Sequence, residues 1–143
     1  MPDWKISVVE NALVPQVWPA VLPYLEQVVA QSNGRCSSAD ALDRIMKEQA
    51  QLWVVYDEAT AKVTGALVTR VTPYPGKKYL TVEMLAGDNF DEWIDIAQAA
   101  LVLLGNHLGC DGIEEYGRRG WKKRLASLGW EEQFIIMGFP LTK

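Results

Sequence analysis

The residues able to do chemistry in this sequence are few and lie close together. Arg118, Arg119, Lys122, Lys123 and Arg124 form a dense cationic cluster. Such a cluster can hold a phosphate, RNA, DNA or an acidic protein partner. The bland alternative is a solvated helix face whose long stems cover Trp121. Upstream, Asp88, Asp91 and Glu92 crowd the segment ending in Trp93. Carboxylates there cap and neutralise the start of a helix. His107 is the single histidine. It falls in the last turn of that helix, where a cation is favoured, so capping rather than proton transfer is its expected role. Cys36 and Cys110 have no CxxC spacing and no histidine close by, so no disulfide framework and no metal site is expected.

Composition narrows the class. The chain has 143 residues, 49% hydrophobic and 22% charged, as expected for one soluble domain spanning 1–143 with a real core. A net charge of −4 argues against general nucleic-acid binding, which is expected to be weak at most. The first residues, MPDWKISVVEN, lack the basic and apolar regions of a signal peptide. No apolar run approaches the ~20 residues of a membrane span. A reducing cytosol fits these features best.

The elements that must position the charged groups follow from periodicity. Trp4–Val9 predicts a strand, with Trp4, Ile6 and Val8 alternating. A break at Asn11–Pro15 precedes a helix over Val17–Ser32, with Pro19 in its first turn and Pro23 kinking the entry. Ser37–Asp40 reads as a cap starting a second helix to about Lys47. Leu52–Tyr56 and Val63–Thr72 predict an antiparallel hairpin, with Gly65 marking a bulge or close contact. Lys78–Leu85 is the next strand, Leu80 and Val82 facing one way, Thr81 and Glu83 the other. A long helix begins near Asp88 or Asn89 and ends at Gly109. Cys110–Tyr116 predicts a strand parallel to Lys78–Leu85 through a right-handed crossover. The last helix opens at Arg118 or Arg119 and buries Trp121, Leu125 and Leu128. Gly129 follows as its left-handed cap, with Trp130 packing back. Phe134–Phe139 predicts a final strand. Trp4 and Trp18, outside the central βαβα unit, are the tryptophans expected at an interface.

This order, β-α-α-β-β-β-α-β-α-β, resembles the GCN5-related N-acetyltransferase (GNAT) family over nearly the whole chain. Local stretches carry the resemblance: LWVVY followed by VTGALV, LASLGW at the end of the last helix, and the closing Met137–Leu141. The pattern from Gly109 to Trp130, with LWVV and the acidic turn Asp88–Trp93, resembles more narrowly the GNAT-like proteins of tailed bacteriophages and prophages. The implied architecture is α/β (α+β): one GNAT-like domain, a mixed sheet of about six strands, and helices on both faces.

The resemblance also implies where chemistry would sit. GNAT enzymes lay the pantetheine of acetyl-CoA between two splayed parallel strands, here Leu80–Leu85 and Asp111–Tyr116, with Leu85 and Gly87 at the cofactor. Their diphosphate rests on a Q/R-x-x-G-x-G/A loop at the next helix. Ala86–Glu92 keeps only Gly87 of that loop and brings three carboxylates instead. A tyrosine that protonates the leaving thiolate in many members corresponds to Leu125; Tyr116 substitutes only if its strand delivers it to the cleft. Glu83 occupies the strand where the family often keeps a general base. Two expectations follow. The first is a GNAT-fold binding or virion-associated structural component that binds no cofactor tightly. It would meet a protein partner in a bacterial host cytosol or phage particle. The alternative is an acetyl-CoA-dependent N-acetyltransferase acting on a primary amine.

Overall fold

Apolar, β-branched segments build the middle of the sheet. In the computed structural model, which describes residues 1–117 and 119–142, Gln51–Asp57 (β2) and Lys62–Pro73 (β3) form the antiparallel hairpin. Trp4–Val8 (β1) adds antiparallel to β2. Lys78–Gly87 (β4) returns antiparallel to β3, and Gly112–Glu115 (β5) lies parallel to β4. The sheet order is β1-β2-β3-β4-β5.

Helices cover both faces, as expected. Val14–Ala30 (α1) and Ser38–Met46 (α2) pack Val21, Leu25 and Ile45 against Leu52, Ala66, Val68 and Met84. Phe90–His107 (α3) and Arg119–Ala126 (α4) pack Phe90, Trp93, Leu101, Trp121 and Leu125 against Val55, Leu67, Leu80 and Val82. The Ser37 side chain accepts from Asp40 N at 3.0 Å and starts α2. Gly109, at φ 71°, closes α3 in the left-handed region that glycine enters without penalty.

Two expectations need correction. α1 begins at Val14 rather than Val17. Pro15 takes its first turn, where a missing N–H costs nothing, and Pro19 and Pro23 both lie inside the helix. Trp4 and Trp18, the tryptophans expected at an interface, are half-buried, each packed at the edge of one core cluster with part of its ring left to solvent. The strand expected over Phe134–Phe139 does not form, so the sheet has five strands rather than six. Phe134 is 75% and Phe139 88% exposed. Strand propensity reports how well a side chain fits a paired, half-buried surface, and this segment has no ladder partner among the described residues.

Trp121 is 9% exposed and packs its ring 4.4 Å from that of Phe90, centroid to centroid. Trp121→Ala is therefore expected to cost about 3 kcal/mol. An unchanged urea midpoint would remove it from the core. Among the described residues no helix is long and apolar enough to cross a membrane.

Candidate functional site

β4 and β5 stay paired only from Tyr79 opposite Gly112 to Val82 opposite Glu115. A final bond runs from Tyr116 N to Val82 O at 3.3 Å. Past that point β4 carries a bulge: Val68 faces Met84 while Thr69 faces Val82, so Glu83 is the extra residue. The bulge breaks the alternation. Leu80 and Val82 point to α3, Met84 points to α1 and α2, and Leu85 points to α3 again. A bulge bends its strand and raises local twist, which parts β4 from β5. The notch that results is apolar, walled by Leu85, Ile94, Gln98, Leu125 and Trp130, and only about 10 Å³ of it is open. Trp130 Nε1 donates to Gln98 Oε1 at 2.8 Å and holds the indole across the notch.

Gly87 ends β4 against Gly65 of β3. A Cβ on Gly87 would lie 2.7 Å from Gly65 Cα and 2.7 Å from Thr64 O. The two glycines admit the Trp93 ring, whose Cζ2 would stand 2.9 Å from a Cβ on either. Trp93 Nε1 then donates to Asp88 O at 2.7 Å. The Gly65 of the sequence pattern is thus both bulge-associated and a close packing contact.

The loop between Gly87 and α3 departs from expectation. Neither Asp88 nor Asn89 caps the helix. Asn89 adopts a left-handed conformation, φ 56° and ψ 36°, and makes no side-chain cap bond. Asp88 Oδ2 instead accepts from Tyr24 OH at 3.1 Å. Burial, then the bond to Asp88, pushes the Tyr24 hydroxyl above its ordinary range. Glu92 Oε1 accepts from Trp4 Nε1 at 3.3 Å. Two of the three carboxylates are thus drawn aside by aromatic donors. A left-handed residue followed by helix turns successive N–H groups inward, as anion nests do.

A cation reaches this loop from α4. Arg124 lines the same cleft of about 370 Å³ as Gly87–Glu92. Its guanidinium carbon lies 5.4 Å from the Phe90 ring centroid and 5.6 Å from that of Trp121. Sequence groups Arg124 with the other cations of its cluster; only the packing of α4 on α3 sets it apart. Its spacing from Trp121, three positions on, was the available signal, because such residues share a helix face.

The remaining candidates are dispersed. Glu83 faces α2: Oε1 accepts from Arg44 Nη1 at 2.6 Å, and Oε2 lies 3.1 Å from Arg70 Nε. Arg70 Nε makes no directed hydrogen bond, so this second contact is an ion pair only. Burial lowers the Arg44 pKa, but Glu83 and Asp40 outweigh it and the net shift is upward. A carboxylate engaged by two guanidiniums turns both of its oxygens away from a substrate until one of them moves. Tyr116 is tied away from the notch, 3.2 Å from Tyr74 OH and 3.3 Å from Glu114 Oε2. Glu114 also accepts from Tyr74 OH at 2.6 Å and Thr81 Oγ1 at 2.7 Å. That bond to Glu114, and then Tyr116, raises the Tyr74 hydroxyl far above its ordinary range. Leu125 is buried in the core. His107 is exposed in the last turn of α3.

Of the basic cluster, Lys122 pairs with Glu132 at 2.7 Å and Lys123 is exposed. Arg119 opens α4, and Arg118 lies outside the described residues. Weak, salt-sensitive binding to DNA or RNA is the expected result, since phosphate contacts release counterions. Retention equally strong at high and low salt would contradict it.

No family model matches this sequence, and no curated protein does. Solved structures do match in shape. A tetramutant protein of Bacillus halodurans aligns with TM-score 0.72 at 19% identity, over 96% of this chain and 99% of that one. Ribosomal-protein-alanine N-acetyltransferase of Brucella melitensis aligns with TM-score 0.68 at 13% identity, over 96% and 99%. Glucosamine-6-phosphate N-acetyltransferase of Arabidopsis thaliana aligns with TM-score 0.67 at 14% identity, over 98% and 99%. The chain therefore has the GNAT fold, in a five-stranded form.

Proposed function

We propose that the protein is an acetyl-CoA-dependent N-acetyltransferase acting on a primary amine. The observation that carries this reading is Arg124, set beside an uncapped first turn of α3 just past the end of β4, the strand that parts from β5 after Val82. The donor set suits a diphosphate: inward-turned amides, the positive end of the α3 dipole, and one guanidinium. Leu85 and Gly87 stand where the strand end would flank the pantetheine. Acetyl-CoA supplies an activated acetyl group. The chain's own contribution is to orient it between the mostly apolar walls of the notch. Glu83 would accept the amine's proton once Arg44 or Arg70 swings away. With Leu125 in place of a hydroxyl, the departing thiolate takes its proton from solvent, so turnover is expected to be slow.

A second reading has its own support. Leu125 and Trp130 nearly fill the notch, which favours a binding component with no turnover. The stretch Gly109–Trp130 suggests a virion-associated partner for that case.

Calorimetric titration with acetyl-CoA, paired with a thiol-release assay on a panel of primary amines, separates the two. The expected affinity is high micromolar, because Trp130 must yield and Asp91 remains nearby. Saturable binding with amine-dependent thiol release supports the enzyme. No heat and no thiol at saturating acetyl-CoA would leave the second reading.

A further inference from the structure

The face of the sheet under α1 and α2 carries a cation whose bonding is unfinished. Ala66 and Val68 of β3 turn to this face, and Arg70, two residues on and opposite Thr81, follows them. It meets Glu83 at the β4 bulge and lies across that carboxylate from Arg44, in the last turn of α2. Arg70 Nε is buried and donates no hydrogen bond, although Glu83 Oε2 is 3.1 Å away. The rest of its guanidinium finds no acceptor among the described residues either. Its polar neighbours are bonded to one another: Thr81 Oγ1 lies 2.6 Å from Thr72 Oγ1 and donates to Glu114 Oε2 at 2.7 Å. The Arg70 side chain is 35% exposed and that of Glu83 17%, so a ligand can reach the first while water screens neither fully. A guanidinium is a rigid fork of five donors, and here the fork is idle.

Glu83 itself shows which anion fits. Its two oxygens are divided between Arg44 Nη1 and Arg70 Nε, so a carboxylate already sits between the guanidiniums. Arg44 is secured a second time by Asp40 Oδ2 at 3.1 Å; Arg70 is not. The contact to Arg70 is therefore the first to exchange. A second carboxylate can meet Arg70 through two parallel N–H groups, a pairing the Nε contact lacks. Charge favours the same exchange. An aliphatic amine arrives at neutral pH as an ammonium, and one drawn to Glu83 alone meets two guanidiniums beside it. Asp40 is exposed, and Glu114 is engaged by the hydroxyls of Tyr74, Thr81 and Tyr116, so neither offsets them fully. A molecule with both charges brings its own counter-ion.

We infer that the acceptor is an amino acid, whose own carboxylate takes Arg70 and so releases one oxygen of Glu83 for its amine. The chemistry of this inference rests on the acetyltransferase reading; its binding half rests on Arg70 alone. Glu83 is the residue after Val82, where pairing with β5 ends. Past it the edge of β4 carries no strand among the described residues, so the two faces of the sheet meet there. With the substrate carboxylate on Arg70, Glu83 takes one proton of the ammonium. As the nitrogen bonds to the acetyl carbon and the carbon–sulfur bond breaks, a second proton passes to solvent, from which the thiolate is protonated. Arg70 is then a specificity residue, and Arg44, which stays on Glu83, a positioning residue.

The test sets glycine, L-alanine, L-methionine, L-phenylalanine and L-glutamate beside their carboxamides, with O-phosphoethanolamine as the phosphate probe. Thiol release gives kcat/KM for each. The Arg70 Nε–H signal in NMR, followed without acetyl-CoA, reports binding independently of turnover. The best acid is expected to exceed its carboxamide by about 10–100-fold, the worth of one charge-assisted hydrogen bond. Arg70→Gln should bring the ratio near one by raising KM for the acid, and Arg70→Lys should restore part of it. The parent ratio decides even where Arg70→Gln fails to fold. An Arg70 signal shifted by acids and not by carboxamides, with no thiol release from any amine, supports the amino-acid site and removes the enzyme reading. Carboxamides that react as fast as acids overturn the inference and leave the enzyme. So does O-phosphoethanolamine outpacing every amino acid, an acid preference that survives Arg70→Gln, or an Arg70 signal that no amino acid moves.

Discussion

Trp93→Ala is expected to destabilise the protein by ~3–5 kcal/mol, the range of large buried aromatics replaced by alanine. Trp93 is 0% exposed, and its ring lies against two glycines that have no side chain to collapse into the space left behind. The loss therefore includes a cavity as well as the transfer of the indole. It also removes the donor to Asp88 O, the bond that seats the loop before α3. Trp93→Phe separates these effects. It keeps most of the ring and deletes the N–H, so about 1–2 kcal/mol should be lost. Urea denaturation with an unchanged slope measures both. A Trp93→Ala midpoint within error of the parent would show that the loop and core do not depend on this ring. Gly87→Ala approaches the problem from the other side. Its Cβ meets backbone at 2.7 Å, and such overpacking costs roughly 1–3 kcal/mol.

Arg124→Glu is expected to weaken acetyl-CoA binding by at least about 100-fold, and Arg124→Ala by about 10–100-fold. A charge-assisted hydrogen bond is worth about 1.5–3 kcal/mol, and each 1.4 kcal/mol is a factor of ten. Reversal adds a fourth carboxylate to a loop that already holds Asp88, Asp91 and Glu92. Stability should change far less, because the stacking of Arg124 on Phe90 and Trp121 is exposed and contributes about 0.5–1 kcal/mol. Calorimetry at two salt concentrations checks the assignment. Equal affinity for parent and Arg124→Glu would move the diphosphate away from α3 and remove the observation on which the enzyme reading rests.

Local pattern made most of the fold legible. The alternation of LWVVY and VTGALV, the caps at Ser37 and Gly109, and the stripe of Trp121 and Leu125 each need only neighbours in sequence to be read. They yield five strands and four helices in the right order, with small errors where Pro15 admitted an earlier start to α1. The same patterns overstated the last strand. Phe134–Phe139 has every local property of a strand, yet a strand exists only where a second backbone meets it.

The site was less legible because its parts are remote in sequence. The carboxylates of Asp88 and Glu92 read as helix caps, since nothing local shows that Tyr24 and Trp4 would draw them aside. Arg124 read as one cation among several, since only α4 packing on α3 selects it. Glu83 read as an alternating strand residue, whereas the bulge opposite Val68 and Thr69 makes it the residue where β4 turns from β5. By itself the sequence determined the elements, their order and their buried faces, because those follow from short-range periodicity and capping. Only the tertiary structure decided which charges face the α3 loop, how far the notch opens and what the C-terminal segment leaves uncovered. These depend on contacts between elements, which periodicity does not encode.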